Sequence, residues 1–99
     1  MEITSNKVEG TLTIFLEGRM DTVGAQELTD KITLEERKGF DLVLDFAKLQ
    51  YISSAGLRAL IVFKKDAEAE GKTLKITHVN PVVTEIFQAT GFNRFLNIE

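Results

Sequence analysis

The chain has 99 residues, with 12 basic and 15 acidic side chains for a net charge of −3, and no cysteine. That length makes one domain, spanning residues 1–99, with room for a real core. The missing cysteine excludes disulfide frameworks and thiol chemistry and suits the cytosol. A pI near 5.2, with basic residues scattered among acidic ones, leaves no basic face for nucleic acid. No apolar run approaches the roughly 18 residues that cross a bilayer, and Met1-Glu-Ile-Thr-Ser5 lacks the basic and apolar regions of a secretory leader. A cytoplasmic protein that binds neither membrane nor nucleic acid is expected.

Ile3 to Val8 is a weak strand candidate. Glu9-Gly10 marks a turn, and Leu12, Ile14 and Leu16 then alternate with Thr11, Thr13 and Phe15, so an antiparallel hairpin is predicted. Gly18 is expected to end the second strand. Asp21 or Thr22 can cap a helix carrying Ala25, Leu28 and Ile32 on one face, with Gly39 closing that region. Leu42–Phe46 is a short continuous apolar run, the pattern of a strand buried on both faces. Two serines and a glycine then lead into a helix from about Ala55 to Glu70, which Gly71 stops.

Leu74 and Ile76 mark another strand. Asn80-Pro81 is a helix start, with a cap and a proline at the first helical position, and Val83, Ile86, Phe87 and Thr90 share a face. Gly91 stops that helix, and Phe95, Leu96 and Ile98 are expected in a short terminal strand. The order after the hairpin is helix-strand-helix-strand-helix-strand. It predicts an α/β domain: a mixed, mostly parallel sheet with an antiparallel N-terminal hairpin and right-handed crossover helices. Sites in such sheets gather at the strand C-terminal ends, where Asp21, Ser53 and Ser54 should converge.

Ser53 and Ser54 therefore stand where a helix exposes its first N–H groups and the positive end of its dipole. A serine there can cap the helix, act as a nucleophile or accept a phosphate. A hydrolase needs a base beside the nucleophile, but the only histidine, His78, follows a different strand, and the stretch Ile52-Ser-Ser-Ala-Gly56 is not a Gly-x-Ser-x-Gly elbow. No Gly-x-Gly-x-x-Gly or Walker A loop occurs. Asp41 and Asp45 flank one strand without the further carboxylates or histidines a metal needs. A phospho-aspartyl receiver is disfavoured too, because the acidic pair after the first strand and the late Lys-Pro step are missing. Neither catalysis nor a cofactor is expected. Capping, worth about 1 kcal/mol, needs only one serine, and here there are two.

The run Leu44-Asp-Phe-Ala-Lys-Leu-Gln-Tyr-Ile-Ser-Ser-Ala-Gly-Leu57 resembles the signature of STAS domains, particularly bacterial anti-sigma factor antagonists. Leu16-Glu-Gly-Arg-Met-Asp21 is similar to the family's Gly-x-x-Asp step, and Asn80 to Phe92 resembles its last helix. The resemblance implies that the phosphoacceptor is Ser54, two positions before the glycine. Ser53 occupies a place where many members have aspartate, which removes a negative charge beside the acceptor. Ala55 takes a position that often holds a second hydroxyl, and Asp21 matches an acidic residue near the phosphorylation site.

The partner surface implied in this way comprises Asp21, Ser53, Ser54, Ala55, Gly56 and Leu57. The implied partners are an anti-sigma factor that is itself a serine kinase, and a phosphatase that restores Ser54. A monomer or weak dimer is expected. The competing expectation is a STAS scaffold or accessory subunit of a signalling or transport complex in which Ser54 is never phosphorylated. Length favours the stand-alone antagonist, since transporter STAS units are appended to a membrane portion.

Overall fold

Glu9 and Gly10 both have positive φ, 47° and 82°, the geometry of a two-residue hairpin turn. They join strand β1 (Glu2–Val8) to β2 (Thr11–Met20), with Val8 opposite Thr11 and Ile3 opposite Leu16. The computed structural model describes residues 1–99. The chain continues through helix α1 (Thr22–Lys31), a short helix α2 (Leu34–Arg37), β3 (Asp41–Ile52), α3 (Ser54–Ala69), β4 (Leu74–Thr77), α4 (Pro81–Thr90), a 3-10 turn at Phe92–Arg94 and β5 (Asn97–Ile98).

The sheet is five-stranded, and its spatial order β1-β2-β3-β4-β5 is the chain order; β2 to β5 are parallel and β1 is an antiparallel edge. Successive neighbours joined by right-handed crossovers put every connecting helix on the same face of the sheet. The burial pattern agrees. Leu12, Ile14, Leu16 and Met20 of β2 and Leu42, Leu44, Phe46, Leu49 and Ile52 of β3 are buried in one core with Leu28 of α1, Leu60 and Phe63 of α3, and Phe87 of α4. Leu44, on the central strand, is wholly inaccessible. The opposite face stays open: Phe15, Glu17 and Arg19 are exposed, Lys48 pairs with Glu17 at 3.6 Å, and the Arg19 guanidinium lies 4.4 Å from the Tyr51 ring centre.

The expected architecture holds, with four differences of detail. β2 does not stop at Gly18 but runs to Met20, because Gly18 adopts φ 110° at an irregularity that the strand survives. β3 is buried on one face and not on both, since Val43 and Asp45 stay partly exposed between Leu42, Leu44 and Phe46, and it continues six residues past Phe46, to Ile52. Register shifts between Phe15 and Glu17, and again between Gly18 and Arg19, leave extra residues in β3. They convert its buried positions from a step of two to a step of three, at Phe46, Leu49 and Ile52. The third difference is the additional helix α2, whose Arg37 is buried, with its guanidinium 3.0 Å from Asp66 and 3.8 Å above the Phe63 ring. Fourth, the terminal strand is only Asn97–Ile98; Phe95 ends the 3-10 turn and is exposed.

Candidate functional site

Three strand-to-helix loops meet at the C-terminal end of the parallel strands, and each caps its helix in the same way. Asp21 Oδ1 accepts from the Gly24 N–H at 2.8 Å. Ser53 Oγ accepts from the Gly56 N–H at 3.3 Å, and Asn80 Oδ1 accepts from the Val83 N–H at 2.8 Å. All three caps have extended backbone and satisfy the third helical N–H, one of the donors a helix leaves unpaired. Asn80 also donates through Nδ2 to the Leu49 carbonyl at 2.6 Å, tying its loop to the projecting part of β3. The cap at Asn80 was legible in Asn80-Pro81, but its second bond depends on the length of β3.

The loops bearing Asp21 and Ser54 are neighbours. Met20 and Ile52 are register partners at the ends of β2 and β3, and the Ser53 N–H donates to the Met20 carbonyl at 2.8 Å. Two glycines let the following helices sit this close. A Cβ built on Gly24 would lie 2.5 Å from the Arg19 carbonyl, and one built on Gly56 would lie 2.6 Å from Ile52 Cγ1 and 3.0 Å from the Met20 carbonyl. Only residues without a Cβ fit at the third position of either helix.

This arrangement separates the serines. Ser53 is half-buried, and its hydroxyl is engaged as the cap of α3. Ser54 is the first residue of α3; its side chain is exposed and its hydroxyl takes part in no hydrogen bond. The helix thus begins one residue earlier than the sequence pattern suggested, with Ser53 as its cap. Asp21 is exposed beside this loop, Ala55 is half-buried, and Gly56 and Leu57 are buried beneath, supporting the surface from behind.

Ser54 lines none of four surface depressions; one of them, of about 420 Å³, lies on the open sheet face over Phe15, Glu17, Asp45 and Lys48. His78 Nδ1 is 3.3 Å from Asp45 Oδ2, so its carboxylate partner sits on β3 and not in the serine loop. That pair escaped the sequence pattern because His78, at φ 60°, turns out of line with its strand. There is no group of three or more His, Cys, Asp or Glu side chains that could hold a metal, and no helix is long and apolar enough to cross a membrane.

Comparison with known proteins agrees with this geometry. The model of the STAS domain family matches residues 2–99. The chain is 33% identical over 93 residues to BtrV of Bordetella bronchiseptica, whose name assigns it to the anti-sigma factor antagonists; the match covers 93% of this chain and 80% of that protein. Among solved structures, a Thermotoga maritima protein with the same family name superposes with a TM-score of 0.87 at 16% identity, over 97% of this chain and 84% of that one. Unphosphorylated SpoIIAA, an anti-sigma factor antagonist, superposes with a TM-score of 0.83 at 19% identity, over 99% of this chain and 88% of that one. The same protein, the Bacillus cell fate determinant, is also known in a phosphorylated form, with a TM-score of 0.74 at 18% identity, over 99% of this chain and 91% of that one. The chain belongs to the STAS domain family, with anti-sigma factor antagonists as its relatives.

Proposed function

We propose that this protein is an anti-sigma factor antagonist that works by partner switching. In its unphosphorylated form it docks, through the surface around Asp21, Ser53, Ser54 and Ala55, on an anti-sigma factor that is also a serine kinase. Docking releases a sigma factor. The kinase supplies ATP; Ser54 Oγ loses its proton, attacks the γ-phosphorus and forms the phosphoester as ADP leaves. A phosphatase reverses the change by hydrolysis. The protein itself contributes no catalytic group and binds no cofactor.

The observation that carries the reading is the division of labour between the two serines. Ser53 is committed to the helix, and Ser54 presents a free, exposed hydroxyl. An exposed hydroxyl with no base beside it suits presentation to another protein's active site better than catalysis in place. A phosphoserine adds roughly −1.5 to −2 charges, and at Ser54 it would sit at a helix N-terminus that favours anions. The domain therefore tolerates the group. The cost falls on docking, through bulk, desolvation and repulsion from a partner's carboxylates. A penalty of about 3 kcal/mol weakens binding on the order of a hundredfold, without refolding.

Titration calorimetry with the anti-sigma factor tests this. Ser54→Ala should bind as wild type does, and the Ser54-phosphorylated protein about a hundredfold more weakly. Equal affinity of the two forms would favour the scaffold reading, in which the same surface docks without being switched.

A further inference from the structure

Ser54 and Arg58 are both exposed residues of α3, four positions apart. A helix rises about 1.5 Å per residue with 3.6 residues per turn, so such a pair shares a face about 6 Å apart. Helical side chains lean toward the N-terminus, so a residue covers the turn before its own Cα. The turn before Arg58 begins at Ser54.

Two other arginines are held in place, and Arg58 is not. Arg37 is held by Asp66 and Phe63, and Arg19 stacks on Tyr51. Arg58 takes part in none of the ion pairs, and no aromatic ring lies beneath it. Its helical neighbours three and four residues away are Ala55, Ser54, Ile61 and Val62, none of them acidic. Val62, the next residue along the stripe, is 52% exposed and apolar. On its own helix, Ser54 is thus the one polar group within reach of a guanidinium that forms no ion pair.

We propose that Arg58 is the positioning residue for the phosphoryl group of Ser54: once the serine is modified, the guanidinium swings back one turn and pairs with two phosphate oxygens. A guanidinium fork matches a phosphate bidentately, and charge-assisted bonds of this kind are stronger than neutral ones. The modified protein then hides its own cation as well as adding an anion. Any contact that Arg58 makes with a docking partner is lost in the same step. This inference rests on the reading of Ser54 as the modified residue, and it adds what that reading lacks, a residue of this chain that responds to the modification.

The test is a 31P NMR titration of protein carrying phosphoserine installed at position 54 during translation. Wild type, Arg58→Gln and, as a control, Lys65→Gln are compared. Lys65 is exposed on the same helix, roughly 16 Å further along and beyond the screening length of about 8–10 Å. The second ionisation of the phosphate should lie at least about half a unit lower in wild type than in Arg58→Gln, about a threefold change in proton affinity. Lys65→Gln should titrate as wild type. Equal titration of wild type and Arg58→Gln, or an equal shift in both variants, would overturn the inference. Because the phosphoserine is installed, the result does not depend on any kinase. Phosphate found on another residue in cells would sink the docking reading and leave the titration intact, whereas equal titrations would remove Arg58 and leave docking standing.

Discussion

Asp21 and Ser53 cap adjacent helices through the same bond, each to the N–H of a glycine three residues on, Gly24 and Gly56. The likeness has a physical origin. Both loops leave parallel, hydrogen-bonded strands at paired positions, Met20 and Ile52, and both must turn at once into a helix lying over the strand they left. The turn needs a short polar acceptor at the cap, and the close approach needs a missing Cβ. The free hydroxyl of Ser54 is held out at the surface by this frame.

Gly56→Ala should therefore destabilise the fold, although alanine is the better helix former by about 1 kcal/mol. The added methyl meets Ile52 Cγ1 at 2.6 Å and the Met20 carbonyl at 3.0 Å, and overpacking of this kind costs about 1–3 kcal/mol. Gly24→Ala should cost at least as much, because its nearest obstacle is backbone, the Arg19 carbonyl at 2.5 Å. Chemical denaturation of both variants checks the order; a gain in stability in either would show that the loops relax freely.

The serines should separate in stability as well. Ser53→Ala should lose about 1 kcal/mol with its cap bond. Ser54→Ala should be nearly neutral, since the hydroxyl has no partner to lose. Ser54→Asp should be neutral or stabilising by a few tenths to about 1 kcal/mol, as a carboxylate in the first turn of a helix. Thermal unfolding distinguishes the three. A larger loss at Ser54 than at Ser53 would contradict the assignment of the cap.

Arg37 offers a test away from the site. Its guanidinium joins Asp66, the Ile32 carbonyl and the face of Phe63, and so fastens α2 to α3. Asp66 remains about a third exposed and keeps water when its partner goes, so Arg37→Ala should cost about 2 kcal/mol, below the range for fully buried pairs. Arg37→Lys should recover part of the loss. Urea unfolding with both variants gives the numbers, and a neutral Arg37→Ala would show that α2 is not fastened by this residue.

Asp41, at the start of β3, accepts from the Thr73 N–H at 2.9 Å and from the Thr73 hydroxyl at 3.1 Å. The backbone bond first, then the hydroxyl bond, lower its pKa against a small opposing effect of burial, with Lys72 adding a little more. A depressed folded pKa means that the unfolded chain binds the proton more readily. The contribution is present above the unfolded pKa, near 3.8, and is lost as pH falls through the lower folded value. Asp41→Asn should flatten the acid limb of the stability curve, measured by denaturation across pH 2–6; an unchanged limb would assign acid sensitivity to other carboxylates.

Much of this was legible in the sequence. Asp21, the Ser53-Ser54 pair and Asn80-Pro81 announce helix starts because capping is a local property of a few residues, and Leu12, Ile14 and Leu16 announce a strand because alternation is local too. The second half of β3 was hidden. Its bulges space Phe46, Leu49 and Ile52 three apart, a step that reads as helix or loop when the partner strand is unknown. The continuation of β2 through Gly18 was hidden for a related reason, since a glycine at φ 110° looks like a terminator until the neighbouring strand holds it. The separate roles of Ser53 and Ser54 depended on which of them the helix takes as its cap, a choice fixed by the Ser53 N–H bond to Met20 on another strand.

The most direct measurement of the switch incubates wild type, Ser53→Ala and Ser54→Ala with the cognate anti-sigma kinase and ATP and maps the phosphate by mass spectrometry. Wild type and Ser53→Ala should each carry a single phosphate on Ser54, and Ser54→Ala none. Phosphate on Ser53, or no phosphate on wild type although the kinase binds it tightly, would contradict the account and make the protein a docking scaffold.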